Sequence, residues 1–167
     1  TGGKRPYGYV ALGELMSLVF FGPVAVLGTT YAIIGRITED AVALSIAIGC
    51  FSAALMLTNN LRDIDTDRAA GKRSLPTLIG RRASKALYAL LMLVPFGILW
   101  VFSYALAYGF AVFAVLLLAG PAIVIVLLAR DARDLITALG LTGISALLYG
   151  VGLAVAIWGG PAGFVGA

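Results

Sequence analysis

Charge is missing from four long stretches of this chain: residues 15–35, 41–61, 86–129 and 135–167 contain no Asp, Glu, Lys or Arg. About 20 apolar residues in a helix cross roughly 30 Å of hydrocarbon. The third stretch is long enough for two crossings joined by a tight turn. The sequence therefore predicts five transmembrane helices, at about 12–35, 41–61, 84–104, 108–129 and 135–158. Inside a bilayer every backbone amide must find a partner within its own segment or a closed barrel. The residue alternation of barrel strands is absent, so the predicted class is all-α, a multi-span bundle whose solvent is the lipid bilayer. Composition agrees: 61% of residues are hydrophobic, 12% are charged and mean hydropathy is +1.02. Soluble domains carry about 25% charged residues.

Orientation follows from the twelve Lys and Arg residues. Five helices alternate sides, so the N-terminal segment, the 62–85 loop and the 130–134 loop share one face. That face holds Lys4, Arg5, Arg62, Arg68, Lys72, Arg73, Arg81, Arg82, Lys85, Arg130 and Arg133, and only Arg36 lies opposite. The positive-inside rule makes the crowded face cytoplasmic. The expected location is the cell membrane, multi-pass, with the charged loops in the cytoplasm. The net charge of +4 reflects this topology, and no nucleic-acid partner is expected, because such binding needs a basic surface exposed to water.

The chain has no histidine and a single cysteine, Cys50. The commonest general base and zinc ligand is thus missing, and no internal disulfide can form. Thr1 opens a Gly-rich polar segment without signal-peptide character, which reads as the interior of a longer protein.

One dense cluster of charge interrupts the hydrocarbon, running Asn59-Asn60-Leu61-Arg62-Asp63-Ile64-Asp65-Thr66-Asp67-Arg68-Ala69-Ala70-Gly71-Lys72-Arg73. If the second helix continues for two turns past Leu61, then Asn59, Asp63 and Asp67 stack at four-residue spacing on one face. Asn60 flanks that stripe and Asp65 points away. Amide and carboxylate oxygens are hard ligands of the kind Mg²⁺ takes together with substrate phosphates. Gly71 ends the helix. Lys72 and Arg73 then stand where charge-assisted hydrogen bonds to phosphate can form. An EF-hand starting at Asp63 fails, with Arg68 and Ser74 where Gly and Glu are required. A Walker loop fails at Thr66 and Arg73. The bland alternative is a cytoplasmic loop whose acids and bases simply pair. The helical register of the acids, continued by amides into the apolar span, favours a ligand site.

The pattern Asn59-Asn60-x-Arg62-Asp63-x-x-x-Asp67-x-x-x-Gly71-Lys72-Arg73-x-Leu75 resembles the second aspartate-rich motif of the UbiA-type intramembrane prenyltransferases. Gly3-Lys4-Arg5-Pro6-Tyr7-Gly8-Tyr9-x-x-Leu12-Gly13-Glu14, leading into Phe20-Phe21-Gly22, resembles the loop and helix preceding that motif in the branch acting on 1,4-dihydroxy-2-naphthoate. The likeness runs through nearly the whole chain in order.

The resemblance implies nine helices around a central cavity, of which residues 1–167 would supply the C-terminal five. It implies two aspartate-rich loops at the cytoplasmic mouth, bridged through Mg²⁺ to a polyprenyl diphosphate. Only the second loop is present here, so this chain alone is expected to be inactive. Asp63 and Asp67 become the catalytic metal ligands, joined by Asn59 and Asn60. Lys72, Arg73 and Arg62 become diphosphate contacts. Lys4 joins them by matching the Lys of a Tyr-x-x-x-Lys element whose Tyr would precede Thr1. Tyr7, Tyr9 and Glu14 are candidates to contact the aromatic acceptor. The plainer readings are an aromatic belt for the tyrosines and an interfacial position for Glu14. The implied reaction is prenylation of dihydroxynaphthoate with loss of carbon dioxide, in menaquinone synthesis. Other aromatic acceptors (hydroxybenzoate, haem, chlorophyllide) are alternatives within the superfamily. A transporter is the alternative outside it, although transporters place polar groups near the midplane and this chain gathers them at one face.

Overall fold

The computed structural model describes residues 11–159 except 105 and 107. Five helices are long and apolar enough to cross a membrane, and no β-strand occurs among the described residues. They are α1 (Gly13–Ile34), α2 (Glu39–Arg62), α4 (Leu75–Phe102), α5 (Gly109–Leu128) and α6 (Ala132–Trp158). A short helix, α3 (Ile64–Ala69), links α2 to α4.

Helix α2 is the most deeply buried span, packed against α1, α4 and α6, while α5 lies on α6 and α4. The charged motif at the C-terminal end of α2 therefore rises from the middle of the bundle.

Two devices hold α2 in place. The first is a close crossing with α1. A Cβ on Gly22 would lie 2.5 Å from the Ser45 carbonyl, and one on Gly49 would lie 2.5 Å from the Leu18 carbonyl. Small residues let helices touch backbone to backbone, the usual route to tight packing in lipid. At that crossing α1 opens into a π turn, Phe20–Val24, containing Pro23. Nearer the motif, the Ser17 and Ser52 hydroxyls hydrogen-bond at 2.7 Å. The second device is aromatic. Phe51 of α2 meets Tyr149 of α6 at 5.1 Å between ring centroids, and Phe96 of α4 meets Tyr149 edge-on at 5.6 Å. The Tyr149 hydroxyl donates to the Pro95 carbonyl at 2.7 Å, and Tyr88 and Thr142 share a hydroxyl hydrogen bond at 2.6 Å.

Gly49→Ala is expected to destabilise the bundle by about 1–3 kcal/mol, because the new methyl group has only backbone to push against. Gly97→Ala, where a Cβ meets nothing within 4 Å, should be neutral or mildly stabilising. Thermal unfolding in detergent compares the two. Equal melting temperatures would show that the α1–α2 crossing is not tight.

The spans fall where hydropathy places them, with one substantial correction. The third carries a helical segment ahead of its expected start near residue 84, beginning at Leu75 and joined to the rest of the span across a non-helical Gly80. Pro76 is suited to a first helical turn, where its missing N–H costs nothing, and Arg81 and Arg82 stay exposed on the helix surface. Most of the expected 62–85 loop is therefore helical. The helix bends at Gly80, whose φ of 80° leaves the helical region. It runs through Pro95, and α5 runs through Pro121. The expected loop at 130–134 contains a capping box. The Asp131 side chain accepts from the backbone of Asp134, and the Asp134 side chain accepts from the amide of Asp131, starting α6 three residues early. Lys85 completes this corner by donating to the carbonyls of Leu127 and Ala129 at 3.2 and 2.6 Å, satisfying acceptors that the end of α5 leaves open.

Candidate active site

The backbone carries helical pairing across the junction between α2 and α3. The Asp63 amide donates to the Asn59 carbonyl at 3.2 Å, and the Asp67 amide donates to the Asp63 carbonyl at 2.8 Å. Asn59, Asp63 and Asp67 thus keep four-residue register although the helix loosens at Asp63, where φ is −94° and ψ is 11°. Gly71 ends α3 with a φ of 68°. The amide of Lys72 reaches back to the Asp67 carbonyl at 2.9 Å, and that of Gly71 reaches the Arg68 carbonyl at 3.1 Å. This is the Schellman arrangement, and glycine takes its left-handed position without strain. The reversal folds Lys72 back over the helix it has just left.

Each of the three carboxylates in the motif has a cation. Arg62 grips Asp63 with two hydrogen bonds of 2.7 Å. The Lys72 ammonium donates to both oxygens of the largely buried Asp67, at 3.1 and 3.0 Å. Arg81, one helix further on, holds Asp65 at 2.6 Å on the exposed side. Asp65 is thus turned away from Asp63 and Asp67. The hydrogen bonds from Arg62 hold the Asp63 carboxyl below its ordinary range, against an opposing push from burial, so this group is an anion at neutral pH. Arg68 and Arg73 are exposed, and no ion pair involves either among the described residues.

The donor chemistry fits a magnesium ion bound jointly with a phosphate. Two carboxylates and an amide lie in one register, and Mg²⁺ commonly takes only one or two protein carboxylates, filling its shell with water and phosphate oxygen. No group of three or more acidic, His or Cys side chains suited to a metal occurs among the described residues. A bound ion would therefore lean on its phosphate ligand and displace Arg62 and Lys72 from Asp63 and Asp67.

Asn60 is turned off the stripe. Its Nδ2 donates to Glu14 Oε1 of α1 at 2.8 Å, and both side chains are buried. Glu14 is covered by protein rather than open to solvent. The other carboxylate oxygen, Oε2, is buried and has no hydrogen-bond partner among the described residues. Beside this pair, Gly13, Met16, Ser17, Phe20, Phe21 and Met56 line an apolar cavity of about 350 Å³. The Ala11 amide donates to the Arg73 carbonyl at 2.8 Å, tying the approach to α1 to the tail of the motif. Lys4, Tyr7 and Tyr9 lie outside the described residues. Sequence alone did not reveal the Glu14–Asn60 contact. Its one signal was that Glu14 is the sole charge in an otherwise apolar span.

A sequence profile described as the UbiA prenyltransferase family matches residues 5–139. The chain belongs to this family. Its relatives include the 1,4-dihydroxy-2-naphthoate octaprenyltransferase of Mycobacterium tuberculosis, 39% identical over 163 residues, covering 94% of this chain and 54% of that protein. The enzyme of the same name from Mycobacterium leprae is 42% identical over 101 residues, 60% of this chain and 34% of its own length. That of Escherichia coli is 37% identical over 93 residues, 56% of this chain and 30% of its own. The chain spans about half the length of the Mycobacterium tuberculosis relative. No solved structure matches it. Membership agrees with the five apolar helices in making this a membrane protein.

Proposed function

We propose that the complete protein transfers a polyprenyl group from polyprenyl diphosphate to 1,4-dihydroxy-2-naphthoate, with loss of carbon dioxide, as a step of menaquinone synthesis. The observation that carries this reading is the carboxylate stripe of Asp63 and Asp67 at the end of the central helix, with Lys72 folded back over it. The names of the relatives supply the acceptor. Asn59, Asn60, Asp63 and Asp67 would hold Mg²⁺, which supplies charge to stabilise a departing diphosphate.

The residues of this chain divide the work. Lys72, Arg73 and Arg62 bind diphosphate oxygens, and Lys4 joins them from the segment before α1. Arg62 and Lys72 leave Asp63 and Asp67 as the ligand arrives. Stabilising charge that develops on a leaving group is commonly the largest catalytic contribution. As the allylic C–O bond breaks, its electron pair leaves with diphosphate. The ring carbon bearing the carboxyl group attacks, the new C–C bond forms, and carbon dioxide departs with the ring electrons restored. No histidine is required. Apolar helices exclude water from the allylic cation and accommodate the prenyl tail. Tyr7 and Tyr9 contact the acceptor ring. The charged face is cytoplasmic, in keeping with the distribution of Lys and Arg, and the membrane is the cell membrane.

Membrane vesicles carrying the complete protein test the activity and its sidedness together. Inverted vesicles given external labelled polyprenyl diphosphate and Mg²⁺ should prenylate dihydroxynaphthoate in preference to hydroxybenzoate and release labelled carbon dioxide from the acceptor carboxyl. Right-side-out vesicles should not. Preference for hydroxybenzoate would reassign the acceptor, and transfer confined to right-side-out vesicles would reverse the orientation.

A further inference from the structure

We infer that Glu14 receives a hydroxyl group of the aromatic acceptor on its free oxygen, Oε2. The inference rests on the prenyl-transfer reading above and adds a specificity residue to it. Three observations converge. Glu14 is only 4% exposed, yet one of its two oxygens has no partner among the described residues. A buried carboxylate oxygen left unpaired is costly, so its persistence points to a donor that arrives with a ligand. Two nearby donors among the described residues are already engaged: Asn60 Nδ2 is bonded to Oε1, and the Ser17 hydroxyl is paired with that of Ser52. Finally, the cavity lined by Gly13, Met16 and Ser17 lies within one turn of Glu14. Its volume of about 350 Å³ falls in the range of small-molecule sites, roughly 300–1,000 Å³.

The chemistry of the ligand follows. A carboxylate accepts hydrogen bonds and repels anions, so Oε2 selects an O–H and rejects a diphosphate or a second carboxylate. Phe20, Phe21 and Met56 make the adjoining cavity apolar and aromatic, which suits a fused ring. A metal ion is the weaker occupant, because Glu14 forms no three-membered acidic group with Asp63 and Asp67. The same carboxylate also orients Asn60. With its Nδ2 fixed on Glu14, the amide has only its carbonyl oxygen to offer a cation. Glu14 thus joins the two half-sites: one oxygen sets the ligand geometry of the motif, and the other takes the acceptor. A phenolic hydroxyl bonded to a carboxylate gives up electron density more readily, which favours attack by the ring on a cation.

The test uses the complete protein with dihydroxynaphthoate and its two monomethyl ethers. Glu14→Gln keeps the size of the side chain and an acceptor for Asn60, but loses the anionic oxygen. It should raise the acceptor KM about tenfold or more and leave the prenyl diphosphate KM unmoved, with an unchanged melting temperature. One monomethyl ether should bind the unsubstituted protein weakly, and the parent and Glu14→Gln should handle that ether alike. Two results would overturn the inference. One is an acceptor KM that ignores Glu14→Gln. The other is binding of both ethers by the unsubstituted protein as tightly as dihydroxynaphthoate, which needs no variant to fold. A shift confined to the diphosphate KM is a case of the first and leaves Glu14 as a support for Asn60 only. If the unsubstituted protein transfers no prenyl group to any hydroxylated ring, the prenyl-transfer reading itself fails, and that result is distinct from the others.

Discussion

Asp63→Ala and Asp67→Ala, made separately in the complete protein, are each expected to reduce Mg²⁺-dependent prenyl transfer by at least about a hundredfold, the usual scale for losing one preorganised electrostatic contact to a transition state. Asp65→Ala should retain most of the activity. The contrast rests on position and not on charge, since all three changes remove one carboxylate from the same short segment. Asp63 and Asp67 keep helical register, each amide bonded four residues back. Asp65 is turned outward to Arg81 and its side chain is 76% exposed. Folding should survive in every case, because the cations left behind, Arg62 and Lys72, are themselves partly exposed and can be met by water. Initial rates over a Mg²⁺ titration, with circular dichroism as the check on folding, decide the matter. Equal losses at all three positions would refute the argument from the helix face.

The same register explains what could be read in the sequence and what could not. Spans were legible because lipid imposes a length and forbids charge, and both leave a direct imprint on composition. The acidic stripe was legible because it depends on bonds between residues four apart. The start of α4 at Leu75 was not, because Arg81 and Arg82 read as a loop when charge alone is weighed. At a membrane surface a helix can carry such residues on its wet side. The aromatic cluster of Phe51, Phe96 and Tyr149 was hidden for a different reason. When every face of a helix is apolar, hydropathy cannot say which face meets protein and which meets lipid. Glu14 and Asn60 were each conspicuous, but their hydrogen bond joins residues on separate helices, and that crossing is set by Gly22 and Gly49. Arg81 reaching Asp65 belongs to the same class. Contacts along one segment follow from spacing, whereas contacts between segments need the packing.

The 167-residue chain by itself is expected to show no prenyl transfer in lipid or detergent. Its two aligned carboxylates are already balanced by Arg62 and Lys72, so one motif supplies too little ligand for the metal that a diphosphate requires. Like charge on a polyphosphate must be met from more than one side, and here the carboxylates aligned in one helical register come from the end of α2 and its continuation. The wall is incomplete as well. Helix α1 is barely buried, and Leu15, Phe20, Phe21, Val24 and Ile33 stand exposed along it. Lipid can cover these side chains, but lipid does not shape a cavity that keeps water from an allylic cation. The Mycobacterium tuberculosis relative is about twice the length that this chain covers. Co-expressing the portion of that relative which this chain does not match should therefore restore Mg²⁺-dependent transfer of labelled prenyl groups, provided that portion brings a second acidic cluster. Restoration should disappear when Asp63→Ala is introduced on this side. Transfer by the isolated chain at a rate comparable to the reconstituted pair would show that a single motif suffices, or that copies of this chain complete one another's site.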